Sequence, residues 1–289
     1  MTSHMERTDP SSTDLSLASG PVETVVVDVD GTLVDSNYQH VIAWARAFRR
    51  EGIVVPLWRI HRHVGMGGDR FVAAVAGEQV EQRYGDVLRD SWAGEFSTML
   101  GEISTLPFSR ELLETLRDRR LHVVLASSGR PDHLDRYLDL LGARQVVDAW
   151  VTSADVAATK PAPDLVTAAL ARVDARPEAA IMIGDSPWDL LAARQAGVPG
   201  HGVLTGGFCA NELGQAGAGE VYGDLDELSR DLDDLLRRPH GGDGSPGARA
   251  RNLAVDAMPD DLRAGGEYAD ETQAVLDTSG EVRDVDQRD

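Results

Sequence analysis

The chain has 289 residues, with 48 acidic side chains against 28 basic ones and a net charge of −20, so it can hold one large domain or two modest ones with ample core. That charge argues against a nucleic-acid or anionic-membrane partner, and no apolar run approaches the length of a membrane span. A lone cysteine, Cys209, leaves no internal disulfide and fits a reducing compartment, so the expected setting is cytoplasmic and soluble.

Residues 1–20 are polar, non-periodic and without a hydrophobic signal core, which reads as a disordered arm. The β-branched run over 24–27 then predicts a strand buried on both faces, as in a parallel sheet. At its C-terminal end stand Asp28 and Asp30, whose alternate positions on extended chain point them to one spot. Gly31 permits a sharp turn there and Thr32 adds a hydroxyl. Two like charges so close are costly unless a cation sits between them or one takes a proton.

From Asn37 the period becomes helical, with Val41, Ala45 and Phe48 on one face. Helical patterns run to about Leu100, broken only at Gly65-Met66-Gly67-Gly68-Asp69, and predict a helical insertion over 37–103. A helix over 110–119 leads into His122-Val123-Val124-Leu125-Ala126-Ser127-Ser128-Gly129, a second strand ending in small hydroxyl residues. A helix over 132–141 closes at Gly142, a good C-cap, and 149–153 reads as a short third strand. Lys160-Pro161-Ala162-Pro163-Asp164 opens a helix through Ala171, since prolines suit first turns. A fourth strand covers 179–185, Pro187 starts a helix stopped by Gly197, 202–204 is a weak fifth strand, and 225–236 is amphipathic. Strands alternating with helices predict an α/β, Rossmann-like parallel sheet over 21–36 and 104–238, covered on both faces. The tail, 239–289, is Gly/Asp/Ala-rich and acidic, a disorder composition, with one short helical face at Val255, Met258 and Leu262.

In such folds chemistry collects outside the carboxyl ends of the strands, where Asp28, Ser127, Lys160 and Asp185 all fall. A carboxylate attacking a phosphate monoester meets a dianion, so the site must supply a metal held by acids, a fixed cation and donors for phosphoryl oxygens. Ser127 and Ser128, before a helix N-terminus, offer hydroxyl and backbone donors. Lys160 is the only lysine in the chain, every other basic side chain counted being arginine; a compact point charge on a flexible stem is what lysine alone provides. Asp185 is a third acid at a strand end, and Asp189, one helical turn later, can orient it. Acids without a Cys/His cluster suit a hard ion, and Mg²⁺ is the expected cofactor.

Together these segments resemble the haloacid dehalogenase superfamily, in its phosphoglycolate-phosphatase and β-phosphoglucomutase-like branch. The matching motifs are Asp28-Val29-Asp30-Gly31-Thr32, Ser127, Lys160-Pro161-Ala162-Pro163-Asp164, and Gly184-Asp185-Ser186 through Asp189, and the resemblance spans roughly 24–236. It implies a Rossmann-like core with an inserted helical cap domain. Asp28 is then the nucleophile, forming an aspartyl-phosphate, and Asp30 protonates the leaving oxygen before activating water. Mg²⁺ is held by Asp28, Asp185 and the backbone carbonyl of Asp30. Thr32, Ser127, Ser128 and Lys160 bind phosphate, with Lys160 also holding Asp28 ionised. The partner implied is a small phosphorylated metabolite; the oligomeric state is left open.

Within that superfamily, dehalogenases lack a second acid like Asp30, and the phosphonate-cleaving branch needs a further lysine in the cap. Ion pumps need membrane helices. A phosphatase is the favoured reading, a sugar phosphomutase of the same fold the alternative, and a non-catalytic phosphate-binding scaffold the more distant one, since no motif acid is lost. The loop His61-Arg62-His63-Val64-Gly65-Met66-Gly67-Gly68-Asp69-Arg70 packs basic groups against glycines, as lids do. It nominates His61, His63 and Arg70 as substrate contacts, against an ordinary interhelical turn. Arg130 is a further candidate anion contact. Cys209, in a Gly-rich loop with no base beside it, reads as an inert thiol.

Overall fold

The computed structural model describes residues 21–237. The expected arm and tail, with Val255, Met258 and Leu262, lie outside the described residues.

In chain order, β1 (Thr24–Val27) and the two-residue β2 (Val34–Asp35) lead to helices α1 (Asn37–Arg50), α2 (Leu57–His61), α3 (Gly68–Ala76) and α4 (Glu78–Met99). The chain returns through β3 (Ser104–Thr105), α5 (Ser109–Asp118), β4 (His122–Ala126), α6 (Pro131–Leu141), β5 (Ala149–Val151) and α7 (Asp164–Arg172). It ends with β6 (Ala180–Gly184), α8 (Pro187–Gln195), β7 (Gly200–Val203), α9 (Ala210–Ala216), β8 (Ala218–Tyr222) and α10 (Leu225–Arg237).

Six strands form one parallel sheet in the order β5-β4-β1-β6-β7-β8. β1 is an interior strand because its valines serve both faces. Val25 and Val27 pack with Leu112, Leu116, Leu134 and Leu228 on one side, and Val26 with Val124, Leu165, Met182 and Ala193 on the other. Each fully buried valine of that kind contributes about 1.5–3 kcal/mol. Register then sets the chemistry. Val27 lies opposite both Leu125 and Ile183, so Asp28, Ser127 and Asp185 leave the sheet side by side at its carboxyl edge. The Asp28 amide donates to the Ile183 carbonyl (2.9 Å), which ties the nucleophile candidate to its neighbour strand.

Helices α1 to α4 build a second apolar centre from Trp44, Phe48, Ile60, Phe71, Val72 and Leu88. The chain enters this layer after β2 and leaves it before β3, and those two passages pair antiparallel, Val34 with Thr105 and Asp35 with Ser104. The two-residue β2 and β3 escaped the sequence reading, as did α9 and β8. α9 and β8 lie in an Ala/Gly-rich segment whose buried residues are few (Leu213 and Ala216, then Ala218 and Tyr222), so pairing with β7 and packing decide them rather than local pattern. No helix of the described residues is long and apolar enough to cross a membrane.

Candidate active site

The floor of the site is a buried ionic cluster at the ends of β1 and β6. Lys160 is fully buried; its Nζ donates to Asp28 Oδ1 and to the Ala126 carbonyl (2.8 Å), and pairs with Asp189 Oδ1 at 2.7 Å. Asp189 opens α8, and its Oδ2 accepts from the Ser186 amide (3.0 Å) and hydroxyl (2.6 Å), a reciprocal cap that fixes the carboxylate in place. Asn37, the first residue of α1, donates to Asp185 Oδ2 at 2.9 Å and to the Gly206 carbonyl at 3.2 Å. The chain folds so tightly here that two glycines are required. Gly31 has φ +80, and a Cβ there would collide with Asn37 and the Asp185 carboxylate. A Cβ on Gly206 would strike the same carboxylate.

Charge in this floor is out of balance. Carboxylate oxygens of Asp28, Asp185 and Asp189 lie within 4.8 Å of one another, with Lys160 as the one cation bonded among them within the described residues. Burial, then the Asp189 charge, pushes the Asp28 carboxyl up to about 7 despite Lys160. Burial, Asp28 and Asp189 push Asp185 well above the usual carboxylate range. Thr32 Oγ1 stands 3.1 Å from Asp28 Oδ2 and 3.0 Å from Asp185 Oδ1 with a single hydrogen to offer. Both contacts close only when one acid carries a proton. An all-oxygen set with surplus negative charge fits a hard divalent cation such as Mg²⁺. Lys160 is also raised: burial would lower it, but Asp189 and Asp28 outweigh that and hold it charged.

Asp30 belongs to a different neighbourhood. Its carboxylate accepts from Ser36 Oγ (2.7 Å), His40 Nε2 (3.0 Å) and Ser127 Oγ (3.0 Å). Burial works to raise it, but these bonds, led by His40, win and hold it well below the usual carboxylate range. Ser36 is the N-cap residue of α1, yet its hydroxyl makes no cap bond because it is spent on Asp30. Ser127 Oγ also accepts from the Gly129 amide (2.9 Å), and Ser128 Oγ is buried with no partner among the described residues.

The three cap-loop candidates stay outside the cavity. His61 donates from Nε2 to the Gly206 carbonyl (3.0 Å) and stacks between Tyr38 and Phe208, with centroids 5.3 and 5.2 Å away. His63 donates to the Arg59 carbonyl (2.8 Å) and lies against Trp188. Arg70 is exposed beside Asp69, and Arg130 is exposed and paired with Asp132. What reaches the cavity over Asp28 and Asp30 is instead Val64, Gly65, Met66 and Gly68 of the loop, with His40 and Trp44 of α1, Phe71 of α3 and Trp92 of α4. Asp69 bonds Thr159, the residue before Lys160, so the loop is latched to the floor segment.

Sequence reasoning missed Ser36, Asn37 and His40. A signal existed: three polar residues at the start of an otherwise apolar-faced helix that directly follows the acidic turn. The cavity aromatics had none, since a helical stripe of Trp and Phe also reads as core.

A family model described as haloacid dehalogenase-like hydrolase matches residues 22–197. A crystal structure of a hydrolase from Pseudomonas syringae is 37% identical, with a TM-score of 0.70, covering 73% of this chain and 98% of that one. Validoxylamine A 7′-phosphate phosphatase of Streptomyces hygroscopicus subsp. limoneus is 29% identical over 224 residues, 76% of this chain and 98% of the relative. A phosphoglycolate phosphatase of Caulobacter vibrioides is 30% identical over 183 residues, 61% of this chain and 77% of the relative.

Proposed function

The chain belongs to the haloacid dehalogenase-like hydrolase family, in the branch of phosphoglycolate phosphatases and β-phosphoglucomutases, and is by that kinship a phosphomonoester hydrolase; on that premise we propose that it is a Mg²⁺-dependent phosphatase of a small phosphorylated metabolite working through an aspartyl-phosphate. The observation that carries the proposal is the Asp28–Lys160–Asp189–Asp185 floor, buried yet opening into a cavity that Asp28 and Asp30 both line.

Asp28 attacks phosphorus as its carboxylate, the P–O bond to the alcohol breaks, and the departing oxygen takes a proton from Asp30. Water then attacks the aspartyl-phosphate, Asp30 takes its proton, and inorganic phosphate leaves with Asp28 restored. The ionised Asp30 of this structure is the form suited to the second half. The proton Asp30 takes from water is the one it gives to the leaving oxygen of the next ester, and His40, 3.0 Å away, holds its carboxyl in place. Lys160 keeps Asp28 available as a carboxylate against the burial that disfavours it. Ser128, whose hydroxyl is unspent among the described residues, the amides before α6, and Ser127 once its hydroxyl turns from Asp30, supply donors to the phosphoryl oxygens. Asp28, Asp185 and the Asp30 carbonyl would hold Mg²⁺, with Asp189 placed within reach; when bound it offsets the charge of the phosphoryl group against these acids.

The test is phosphate release from a panel of phosphorylated metabolites, with Mg²⁺ and with excess chelator. Release that needs Mg²⁺ and disappears in Asp28→Asn supports the reading. Isomerisation of a hexose 1-phosphate with a bisphosphate primer and negligible free phosphate would replace it by a mutase. Full activity in chelator would remove the metal.

A further inference from the structure

Asn37 has no part in the reaction written above, and nothing in its own helix accounts for it. Ser36, not Asn37, is the N-cap residue of α1. Both bonds given by the Asn37 amide leave the helix, to residues 148 and 169 positions further along the chain. They go to Asp185 Oδ2 (2.9 Å) and to the Gly206 carbonyl (3.2 Å), and the side chain is buried. Asparagine does little for a helix in itself, because its short polar side chain competes with the backbone for hydrogen bonds. A residue of that kind, its donors spent on distant partners, marks a site rather than a helix.

Those partners make a cradle for one carboxylate. Asp185 Oδ2 is enclosed by Asn37 and by the backbones of Gly31 and Gly206, since a Cβ on either glycine would collide with it. The Gly206 turn is tied to Gly31 by Thr205, whose hydroxyl donates to the Gly31 carbonyl at 2.6 Å. Asn37 holds the same turn through its second bond. One oxygen of Asp185 is thereby pinned. The other, Oδ1, lies 3.0 Å from Thr32 Oγ1, which stands 3.1 Å from Asp28 Oδ2, so Oδ1 is the oxygen that shares a neighbour with Asp28. An amide suits the task, because it gives two hydrogens and adds no charge. A lysine or arginine there would compete with a divalent cation for Asp185, as Lys160 does for Asp28. An aspartate would add to the surplus negative charge and, when ionised, have no hydrogen to give.

We propose that Asn37 is a positioning residue for the divalent cation: it holds Asp185 by Oδ2 so that Oδ1 is presented to the ion, and it ties the first helix after the acidic turn to the metal site. This rests on the Mg²⁺ reading above and deepens it. A bond that fixes the orientation of a ligating carboxylate is worth about ten- to a hundredfold in metal affinity.

The experiment measures Mg²⁺ binding to the full chain, without substrate, by isothermal titration calorimetry in wild type, Asn37→Ala, Asn37→Ser and His61→Ala. His61 is the control, since its bond goes to the same Gly206 carbonyl rather than to Asp185. The Kd for Mg²⁺ should rise about tenfold or more in Asn37→Ala and stay within about twofold of wild type in His61→Ala. Phosphate release by Asn37→Ala should need correspondingly more Mg²⁺. It should return to within about threefold of the wild-type kcat once the ion saturates, a recovery that a merely structural role would not give. An Asn37→Ala Kd within about twofold of wild type, an equal rise in His61→Ala, or a kcat that added Mg²⁺ does not restore, would overturn the proposal. Asn37→Ser, which keeps a small polar group in the same space, carries the same test if the alanine variant does not fold, and urea unfolding in chelator reports on both. If neither folds the proposal is overturned too, since Asn37 then serves the fold before any ion arrives. A wild-type chain without saturable Mg²⁺ binding would instead remove the metal from the reading above, and this proposal with it, whatever phosphatase activity remains.

Discussion

The floor and the roof of the same cavity are built on opposite principles. The floor gathers three acids and one lysine, Asp28 and Asp185 from strand ends, Asp189 from the first turn of α8 and Lys160 from the segment before α7, all buried, with Asp28, Lys160 and Asp189 within direct reach of one another. The roof places Trp44, Phe71 and Trp92 on helices around a glycine-rich loop, and among the described residues of its lining none is an arginine or a lysine. The sheet register leaves the floor no freedom: shifting β1 by one residue against β6 would carry Asp28 to the opposite face. Helical packing tolerates exchange of one large apolar residue for another, so the roof can vary while the floor cannot. Chemistry is thereby separated from selection, and each can be broken without the other.

The largest effect should come from breaking the floor at its nucleophile. Asp28→Asn, nearly isosteric, cannot attack phosphorus, and turnover should fall by about four orders of magnitude or more with the fold retained. Steady-state phosphate release within tenfold of wild type would show that another group attacks.

Next comes the cation beneath it. Lys160→Met removes the partner of two buried carboxylates, and breaking such a cluster costs about 3–5 kcal/mol of stability. Urea unfolding should show the shift directly. Pairing the change with Asp28→Asn should recover part of it, because one of the orphaned charges is then gone. A loss in the double variant equal to the sum of the two singles would mean that Lys160 and Asp28 do not stabilise one another.

The floor should also show itself in pH and metal dependence. Asp28 is raised from 3.8 to about 7 by burial and by Asp189. A carboxyl raised on folding contributes stability that is full below the unfolded value and is lost as pH climbs through the folded one. Metal-free protein should therefore weaken between about pH 4 and pH 7, more steeply than Asp28→Asn, and Mg²⁺ should flatten the difference by favouring the ionised acids. Urea midpoints at pH 5 and pH 7.5 in chelator provide the measurement. Identical slopes in wild type and Asp28→Asn would contradict it.

The same division explains what the sequence made legible. Asp28, Ser127 and Asp185 could be placed because apolar runs ending in acids or hydroxyls mark strand ends, and parallel strands end together, while Lys160 stood out as the only lysine in the chain. Asp189 followed from helical spacing. Thr32 was legible as a residue of the site, but here its hydroxyl is engaged by Asp28 and Asp185. Ser36, Asn37 and His40 were hidden because their partners, Asp30 and Asp185, are reached only through the turn at Gly31, which no periodicity reports. α9 and β8 were invisible for want of apolar pattern. In the roof, basic residues of the loop drew attention that belonged to its apolar ones, since charge near a phosphate site is a strong prior and a buried Trp stripe is not.

Smaller effects should come from the seam between the two regions. His61 joins them through its bond to Gly206 and its stack on Phe208, without lining the cavity. Gly206 in turn presses against Asp185. His61→Ala should loosen that contact and lower kcat/KM about three- to tenfold, mostly through KM, with kcat at saturation largely kept. A fall in kcat of a hundredfold would place His61 in the chemistry itself.

The smallest effect expected is at Arg70. It stands in the loop that the sequence nominates for substrate contact, and a phosphate ester is the ligand an arginine would seek. Yet its side chain is half exposed, its nearest acid is Asp69 at 3.9 Å, and it lies outside the cavity lining. Asp69, meanwhile, is held by Thr159 independently of Arg70. A solvated pair of that kind is worth about 0–1 kcal/mol, so Arg70→Ala should leave kcat/KM within about twofold of wild type. A tenfold loss confined to KM would mean that Arg70 reaches the ester during the cycle.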